Sequence, residues 1–333
     1  MQSGAISAPS ALSPAFARGP LTIGVTGGTG FVGRELITRL AGAGHSVRVA
    51  TRSASRADAL LPLSSVEIFV GDVYDSDFLR RTFDGCDVVI HLIGILNERG
   101  FGGAGFRRAH VESTAALLRA MRQSHTRRLL HMSALNADAE RGRSHYLRTK
   151  GQAEQLVRAE SSLQWTIFRP SVIFGADDSL TMRFAALLRL SAGWIPLARP
   201  GARFAPIYVG DVAMAFVRAL NDGSAVGSTY ELCGPTVMTL AQIVRQTAEA
   251  AGLPCRVLSL PDAVAWLQGA LMGLVPGKPF SLDNYRSLLT DSLCRENGCE
   301  RLGIRPGSFK AWVPRWLSQP VAGTGHGVRS DRV

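Results

Sequence analysis

Tyr146 and Lys150 lie four residues apart in the stretch Tyr146-Leu147-Arg148-Thr149-Lys150. On a helix this spacing sets a phenol and an ammonium on one face. An ammonium beside a phenol stabilises the phenolate and draws the tyrosine pKa down toward working pH. The pair can then give or take a proton at an oxygen while hydride moves at the carbon that bears it. Upstream stands Thr26-Gly27-Gly28-Thr29-Gly30-Phe31-Val32-Gly33, readable as Gly28-x-Gly30-x-x-Gly33 or as Gly27-x-x-Gly30-x-x-Gly33. Residues without a Cβ allow the tight turn and close backbone approach that a pyrophosphate needs. A helix beginning there offers free amides and the positive end of its dipole. A dinucleotide loop and a proton-transfer pair are together the working parts of an oxidoreductase.

The end of the second predicted strand bears on which nucleotide is held. NAD sites usually place an Asp or Glu there for the ribose 2′-hydroxyl. This chain has Thr51-Arg52-Ser53, with no acid before Asp58. Arg52 can make charged hydrogen bonds to a 2′-phosphate, so NADP(H) is preferred and NAD(H) is the alternative. Gly71-Asp72-Val73 follows the third predicted strand, at the edge where an adenine sits in such sheets. Asp72 can accept from an adenine amine, or simply end the strand in an Asp turn.

These residues need elements to hold them, and the hydropathy pattern supplies an alternation. Strands are predicted at Leu21–Val25, Ser46–Thr51, Val66–Val70, Val88–Ile93, Arg128–Met132 and Trp165–Arg169. Helices are predicted at Phe31–Ala43, Asp77–Phe83, Arg107–Gln123 and Tyr146–Glu160. Such alternation implies a parallel, doubly wound α/β sheet. Beyond Gly175 the pattern loosens. Helices near Met182–Leu190, Val212–Leu220 and Leu240–Ala251 mix with strands at Ala205–Tyr208, Thr229–Leu232 and Cys255–Leu258. The expected organisation is a leader over 1–19, a nucleotide-binding domain over 20–175, a smaller C-terminal α/β domain over 176–319 that partly returns to the sheet, and a polar tail over 320–333. Ala263–Val275 is apolar but too short to span a bilayer, and reads as a packed helix or an interfacial contact.

Composition narrows the class further. The chain has 333 residues, 46% hydrophobic and 19% charged, enough apolar mass for a core. Its formal charge is +11, from 37 Lys and Arg against 26 Asp and Glu. Only Lys150, Lys278 and Lys310 are lysines, and the arginines are spread without a basic run. That spread argues against a nucleic-acid partner and for a solvated surface attracted to anionic lipid or an acidic protein. Cys86, Cys233, Cys255, Cys294 and Cys299 form no CxxC pair, so neither a disulfide framework nor a zinc site is expected, and a reducing compartment fits best. The histidines show no ligand spacing, and no metal is expected. His131 and His145 read as structural or surface residues. Asp177-Asp178 reads as a solvated loop, and Trp312 and Trp316 as packing residues.

Together the glycine loop, Gly71-Asp72, the Tyr146/Lys150 pair and Arg169-Pro170-Ser171-Val172-Ile173-Phe174-Gly175 resemble the extended short-chain dehydrogenase/reductase superfamily. Several segments narrow the similarity to an atypical branch, that of the 39 kDa accessory subunit of respiratory complex I and its bacterial epimerase and reductase relatives. They are His110-Val111-Glu112-Ser113-Thr114, His131-Met132-Ser133-Ala134-Leu135, Pro206-Ile207-Tyr208-Val209-Gly210-Asp211-Val212 and Tyr230-Glu231-Leu232-Cys233-Gly234-Pro235. The resemblance spans roughly residues 20–315. It implies a Rossmann-like domain holding NAD(P)(H). Thr26, Gly27, Gly30, Phe31, Val32, Gly33, Arg52, Asp72, Val73, Leu92, Gly94, Lys150, Pro170 and Val172 would surround the nucleotide.

Tyr146 would be the acid–base group, Lys150 would tune it and bind the ribose, and Ser133 would be a weaker third member. Active members carry a Ser or Thr just beyond the fifth strand. If that place falls at Ala134 rather than Ser133, a hydrogen bond to the substrate oxygen is lost. His110 stands where many extended members have Asn. The implied function is an NADP(H)-dependent oxidoreductase or epimerase tied to respiratory-chain or ubiquinone metabolism. The alternative is a nucleotide-holding structural or assembly subunit of complex I or a quinone-biosynthesis complex. The expected partners are a small-molecule substrate, respiratory or quinone-biosynthesis proteins and a peripheral membrane contact. The expected location is the bacterial cytoplasm, peripheral at the inner face of the inner membrane.

Overall fold

A computed structural model describes residues 19–273 and 280–318. The expected leader, Gly19 apart, and the expected tail lie outside the described residues, as does the end of the apolar stretch at 274–275. The first half runs β1 (Thr22–Thr26), α1 (Phe31–Gly42), β2 (Ser46–Thr51), β3 (Val66–Val70), α2 (Ser76–Phe83), β4 (Val88–His91), α3 (Ala104–Arg107), α4 (Ser113–Arg122), β5 (Arg128–Met132), α5 (His145–Ala159) and β6 (Gln164–Pro170). The second half runs β7 (Ile173–Phe174), α6 (Ser179–Leu190), β8 (Trp194–Ala198), β9 (Arg203–Phe204), β10 (Ile207–Tyr208), α7 (Val209–Leu220), β11 (Ser228–Leu232), β12 (Met238–Thr239), α8 (Leu240–Ala250), β13 (Arg256–Leu260), α9 (Asp262–Met272) and α10 (Leu282–Ser287). The short helices α11 (Gly298–Arg301), α12 (Phe309–Trp312) and α13 (Pro314–Leu317) follow.

One seven-stranded sheet, ordered β3-β2-β1-β4-β5-β6-β11, runs through the middle, and every pairing in it is parallel. Its inner strands are apolar on both faces because helices cover both faces. On one side α1 and α7 pack Leu36, Ile37, Leu40, Val212 and Phe216 against Ile23, Val25, Val88, Ile90, Leu130 and Phe168. On the other, α2, α4 and α5 pack Leu79, Phe83, Leu117, Met121 and Val157 against Val89, Leu129 and Ile167. The strand order reverses between β1 and β4. Their carboxyl ends therefore part into a crevice, the usual ligand position in open α/β sheets.

Beyond β6 the structure departs from the sequence expectations in several places. The strand expected over Ala205–Tyr208 is split. β9 pairs antiparallel with β12 and β10 parallel with β7, because Pro206 between them has no N–H to continue a ladder. β8 was not predicted, since Pro196 interrupts its pattern. It survives as one strand of a two-stranded pair with β13, where one edge needs no donor. The helix expected over Arg107–Gln123 starts at Ala104 and widens into a π turn at Arg108–Glu112 before α4. Asp178 is not solvated. It is buried, caps α6 by accepting from Leu180 N and Thr181 N, and is pushed up in pKa by burial.

The cysteine expectation is also overturned: Cys233 and Cys294 form a disulfide. They are 61 residues apart, but the 292–294 segment folds back beside Ser171 and Ala205, and their Cα atoms come within 6.0 Å. The cysteines therefore give no argument for a reducing compartment. Trp312 does pack, stacking on Tyr208 at 4.0 Å between ring centroids, and Trp316 packs beside Phe174.

Candidate active site

The glycine loop links β1 to α1 at the mouth of the crevice. Gly27 takes φ +74°, and a Cβ there would stand 2.9 Å from Ile93 N, so only glycine lets the loop lie against the end of β4. A Cβ on Gly33 would stand 2.5 Å from the Gly27 carbonyl oxygen, which keeps α1 tight on the loop. Gly30 is the N-cap residue of α1 and has no side chain to cap it. The first-turn amides, those of Phe31, Val32 and Gly33, are thus left for an outside acceptor at the positive end of the helix dipole. Cβ-free walls and uncapped amides are what a dinucleotide pyrophosphate requires, so these residues fit the group.

The other expected nucleotide residues ring this loop. Thr26 is buried at the end of β1, and its carbonyl accepts from Leu92 N at 3.0 Å. Gly94 is exposed just beyond β4, and a Cβ there would lie 3.0 Å from Lys150 Nζ. Pro170 closes β6, and the segment that follows, with Val172, runs along the start of α1. A Cβ on Gly175 would lie 3.0 Å from the Phe31 ring. Arg52 and Asp72 stand apart from Tyr146, at the ends of β2 and β3. Val73 is buried. The Asp72 carboxylate accepts from Tyr74 N at 3.0 Å, the Asp turn foreseen from sequence. The Arg52 and Arg108 guanidiniums lie 5.8 and 4.8 Å from the Tyr74 ring centroid, so two cations flank one aromatic ring at this end of the crevice.

Tyr146 and Lys150 lie on α5, whose start is firmly held. Ser144 accepts from Leu147 N at 3.2 Å, while Asp283 of α10 accepts from His145 N at 2.6 Å and Tyr146 N at 3.1 Å. The Tyr146 ring packs edge-on against Phe106 and His110 at 6.0 and 5.5 Å. Lys150 is buried, and its Nζ donates to the Met132 carbonyl at 3.0 Å. Desolvation pulls the Lys150 pKa down to about 8, with Glu154 opposing. The tyrosine departs from expectation, since burial pushes its pKa up to about 12 rather than down. The ammonium is engaged by a backbone carbonyl and does not offset the loss of water around the phenol. The Tyr146 phenol is thus held toward its protonated form.

Behind the pair lies a layer of neutral histidines. His110 Nε2 accepts from Ile95 N at 3.2 Å, which leaves Nδ1–H to donate to Thr149 Oγ1 at 2.8 Å. Thr114 and Ser113 donate to backbone carbonyls at 2.6 Å, so their oxygens accept from His91 Nε2–H. His91 Nδ1 then accepts from Thr26 Oγ1 at 2.6 Å. Burial first, then Lys150, pushes His91 down to about 3 and His110 well below its ordinary value. His131 stacks on His91 at 5.3 Å and is depressed in the same way, while neither of its ring nitrogens has a protein partner. Ser133 follows β5 directly. Its N donates to Phe168 O at 2.7 Å, and its buried Oγ has no partner. Strand alternation places Ser133 on the His131 side of the sheet and Ala134 on the other.

A family model described as NAD(P)H-binding matches residues 27–186. The chain is 30% identical to NADH dehydrogenase (ubiquinone) 1 alpha subcomplex subunit 9 of Arabidopsis thaliana mitochondria, over 89% of this chain and 77% of that protein. The chain belongs to the extended short-chain dehydrogenase/reductases. Within that family it is also 30% identical to the 4-hydroxy-2-methyl-3-oxo-4-farnesyl-3,4-dihydroquinoline-1-oxide ketoreductase of Stigmatella aurantiaca, over 72% of this chain and 76% of that protein. The dTDP-glucose 4,6-dehydratase DesIV of Streptomyces venezuelae shares the fold at a TM-score of 0.69 and 21% identity, covering 90% of this chain and 96% of that one.

Three parts of the site carry little or no signature in the local sequence. His91 and Thr114 brace Thr26 from beneath the glycine loop, and the only signal was a histidine ending an otherwise apolar strand. Glu98 is buried and accepts from Gly103 N and Gly105 N at 2.7 and 2.8 Å, shaping the loop over the cleft. Asp283 lies 137 residues from the tyrosine amide it holds, and no local pattern could reveal it.

Proposed function

We propose that the protein is an NADP(H)-dependent reductase of a carbonyl group carried on an apolar molecule. The observation that carries this reading is the held phenol. Tyr146 stands on α5 one turn from buried Lys150, packed against Phe106 and His110, in a sheet whose crevice also receives a glycine loop and the uncapped start of α1. The nicotinamide, when bound, would supply the hydride that the carbonyl carbon takes up. Tyr146 Oη donates its proton to the carbonyl oxygen, Ser133 Oγ donates a second hydrogen bond to that oxygen, and Lys150 binds the ribose and restores the tyrosine proton. Thr26, Gly27, Gly30, Phe31, Val32 and Gly33 cradle the pyrophosphate. Val73, Leu92, Gly94, Pro170 and Val172 would line the rest of the nucleotide site, and Asp72 would accept from an adenine amine.

Arg52 and Arg108 supply the preference for a 2′-phosphate, since no carboxylate follows β2. The apolar substrate is supported by Phe101, Phe106 and Leu282 lining the cleft beside His145, and by the farnesylated substrate in the name of the Stigmatella relative.

A second reading is a nucleotide-holding structural subunit of complex I or of quinone-biosynthesis machinery. The mitochondrial relative, alike over nearly the whole chain, favours it. Purified protein with NADPH and a panel of prenylated or long-chain ketones separates the two. The reductase reading expects Tyr146→Phe to lower turnover at least a hundredfold with NADPH affinity unchanged, and Arg52→Ala to weaken NADPH about tenfold but not NADH. No NADPH oxidation with any ketone, together with intact nucleotide binding, would favour the structural subunit.

A further inference from the structure

We propose that the outer face of α9, together with Leu96 and Phe101, docks on an anionic lipid bilayer beside the cleft at His145. The helix is built inside out. Its buried residues are the small ones, Ala265 and Gly269, and a Cβ on Gly269 would stand 3.2 Å from Leu282 N of α10. Its large residues point outward: Val264 is 47% exposed, Trp266 50%, Leu267 50% and Leu271 57%. Among its exposed residues only Asp262 is polar. A surface helix of a globular protein normally does the reverse, so this face is shaped to meet something apolar.

The patch continues beyond the helix. Leu96 is 59% and Phe101 54% exposed. The end of α9 reaches Phe101, where a Cβ on Gly273 would lie 2.8 Å from its ring, and Asn284 of α10 donates to the Leu96 carbonyl at 3.4 Å.

Charge decides the occupant. The acids nearest the patch are all engaged. Glu98 is held by the Gly103 and Gly105 amides, Asp283 by those of His145 and Tyr146, and Asp262 pairs with Arg199 at 2.9 Å. Arg99 and Arg286 beside it make no ion pair among the described residues, and the whole chain carries +11. Apolar side chains with an interfacial tryptophan, rimmed by unneutralised arginines, match a membrane surface bearing anionic headgroups. No helix among the described residues is long and apolar enough to cross a membrane, so the contact is peripheral. Phe101 and Arg286 belong to both the patch and the cleft lining. A lipid-soluble substrate would enter that pocket from the bilayer, with the Phe106 ring between it and Tyr146. That delivery rests on the reductase reading; docking itself does not.

The test is co-sedimentation of the full chain with vesicles of phosphatidylcholine alone or with 30% phosphatidylglycerol. The expected result is binding to the anionic vesicles that weakens with salt, and at least a tenfold loss in Trp266→Ser/Leu267→Ser with NADPH binding unchanged. Brominated lipid should quench wild-type fluorescence and lose that effect in Trp266→Phe, which still sediments. No binding at low salt overturns the proposal. So does a double variant that binds like wild type, or a wild-type dimer that the double variant dissolves, which would assign the face to a second copy. Titration of NADPH without vesicles reads the nucleotide site separately, so failure of docking and failure of the reductase reading are told apart.

Discussion

The two helices that frame the site, α1 and α5, begin in opposite ways. The N-terminus of α1 has no side-chain cap and follows a loop stripped of Cβ atoms. The N-terminus of α5 is closed, its first three amides taken by Ser144 and by Asp283 from far along the chain. Both ends carry the same dipole, but only one is left open. The open end leaves its amides to an outside acceptor, and the closed end fixes the start of the helix that carries the phenol. A helix terminus is thus a binding site only when the chain withholds its own acceptors.

Protonating the histidine layer that joins the two sides, His91 to Thr26 of the loop and His110 to Thr149 of α5, should have the largest effect. Burial holds His91 at about 3, and His110 and His131 well below their ordinary values. From about pH 6.5 downward the unfolded chain takes protons that the folded chain refuses, so stability falls with pH through that window. His91 alone should cost about 2 kcal/mol between pH 7 and pH 5, and the other two add in the same direction. Urea unfolding at both pH values measures it, and a flat profile would mean the cluster is not neutral.

Breaking the open side comes next. Gly33→Ala forces a Cβ toward the Gly27 carbonyl and should raise the NADPH dissociation constant a hundredfold or more, about 3 kcal/mol, as read by calorimetry on folded protein. The smallest effect sharpens the contrast. Asp283→Ala uncaps α5 and should cost about 1–2 kcal/mol of stability, lower turnover, and leave NADPH affinity unchanged. A loss of NADPH affinity in this variant would show that the two ends are not independent.

This contrast also explains what could be read from the sequence. The β1–α1 loop was legible because pyrophosphate binding constrains backbone, and only glycine satisfies it, in one contiguous run. β5 matched its predicted bounds as a strand buried throughout, while β2 and β3, nearer the sheet edge, matched theirs through apolar residues alternating with Arg48 and Glu67. The Tyr146/Lys150 pair was legible as spacing, but its electrostatics were not. Whether Lys150 acts on the phenol depends on where its ammonium hydrogen bond goes, and that is the Met132 carbonyl 18 residues away. Asp283, Glu98 and the His91 brace come together only through tertiary packing. The second half was blurred by Pro196 and Pro206, which break local patterns that the neighbouring strands restore.

The Cys233–Cys294 bond has a consequence of chain topology. It joins the end of β11, at the edge of the main sheet, to the stretch after α10. The chain between the two cysteines, which carries β12, α8, β13, α9 and α10, is therefore a closed covalent ring. In the unfolded chain a ring closed across a separation of 61 residues forgoes conformational freedom amounting to about 4 kcal/mol in the chain-entropy account. A single cut anywhere inside that ring leaves one molecule rather than two, so the apolar helix stays tethered to the nucleotide-binding sheet even after the backbone is nicked.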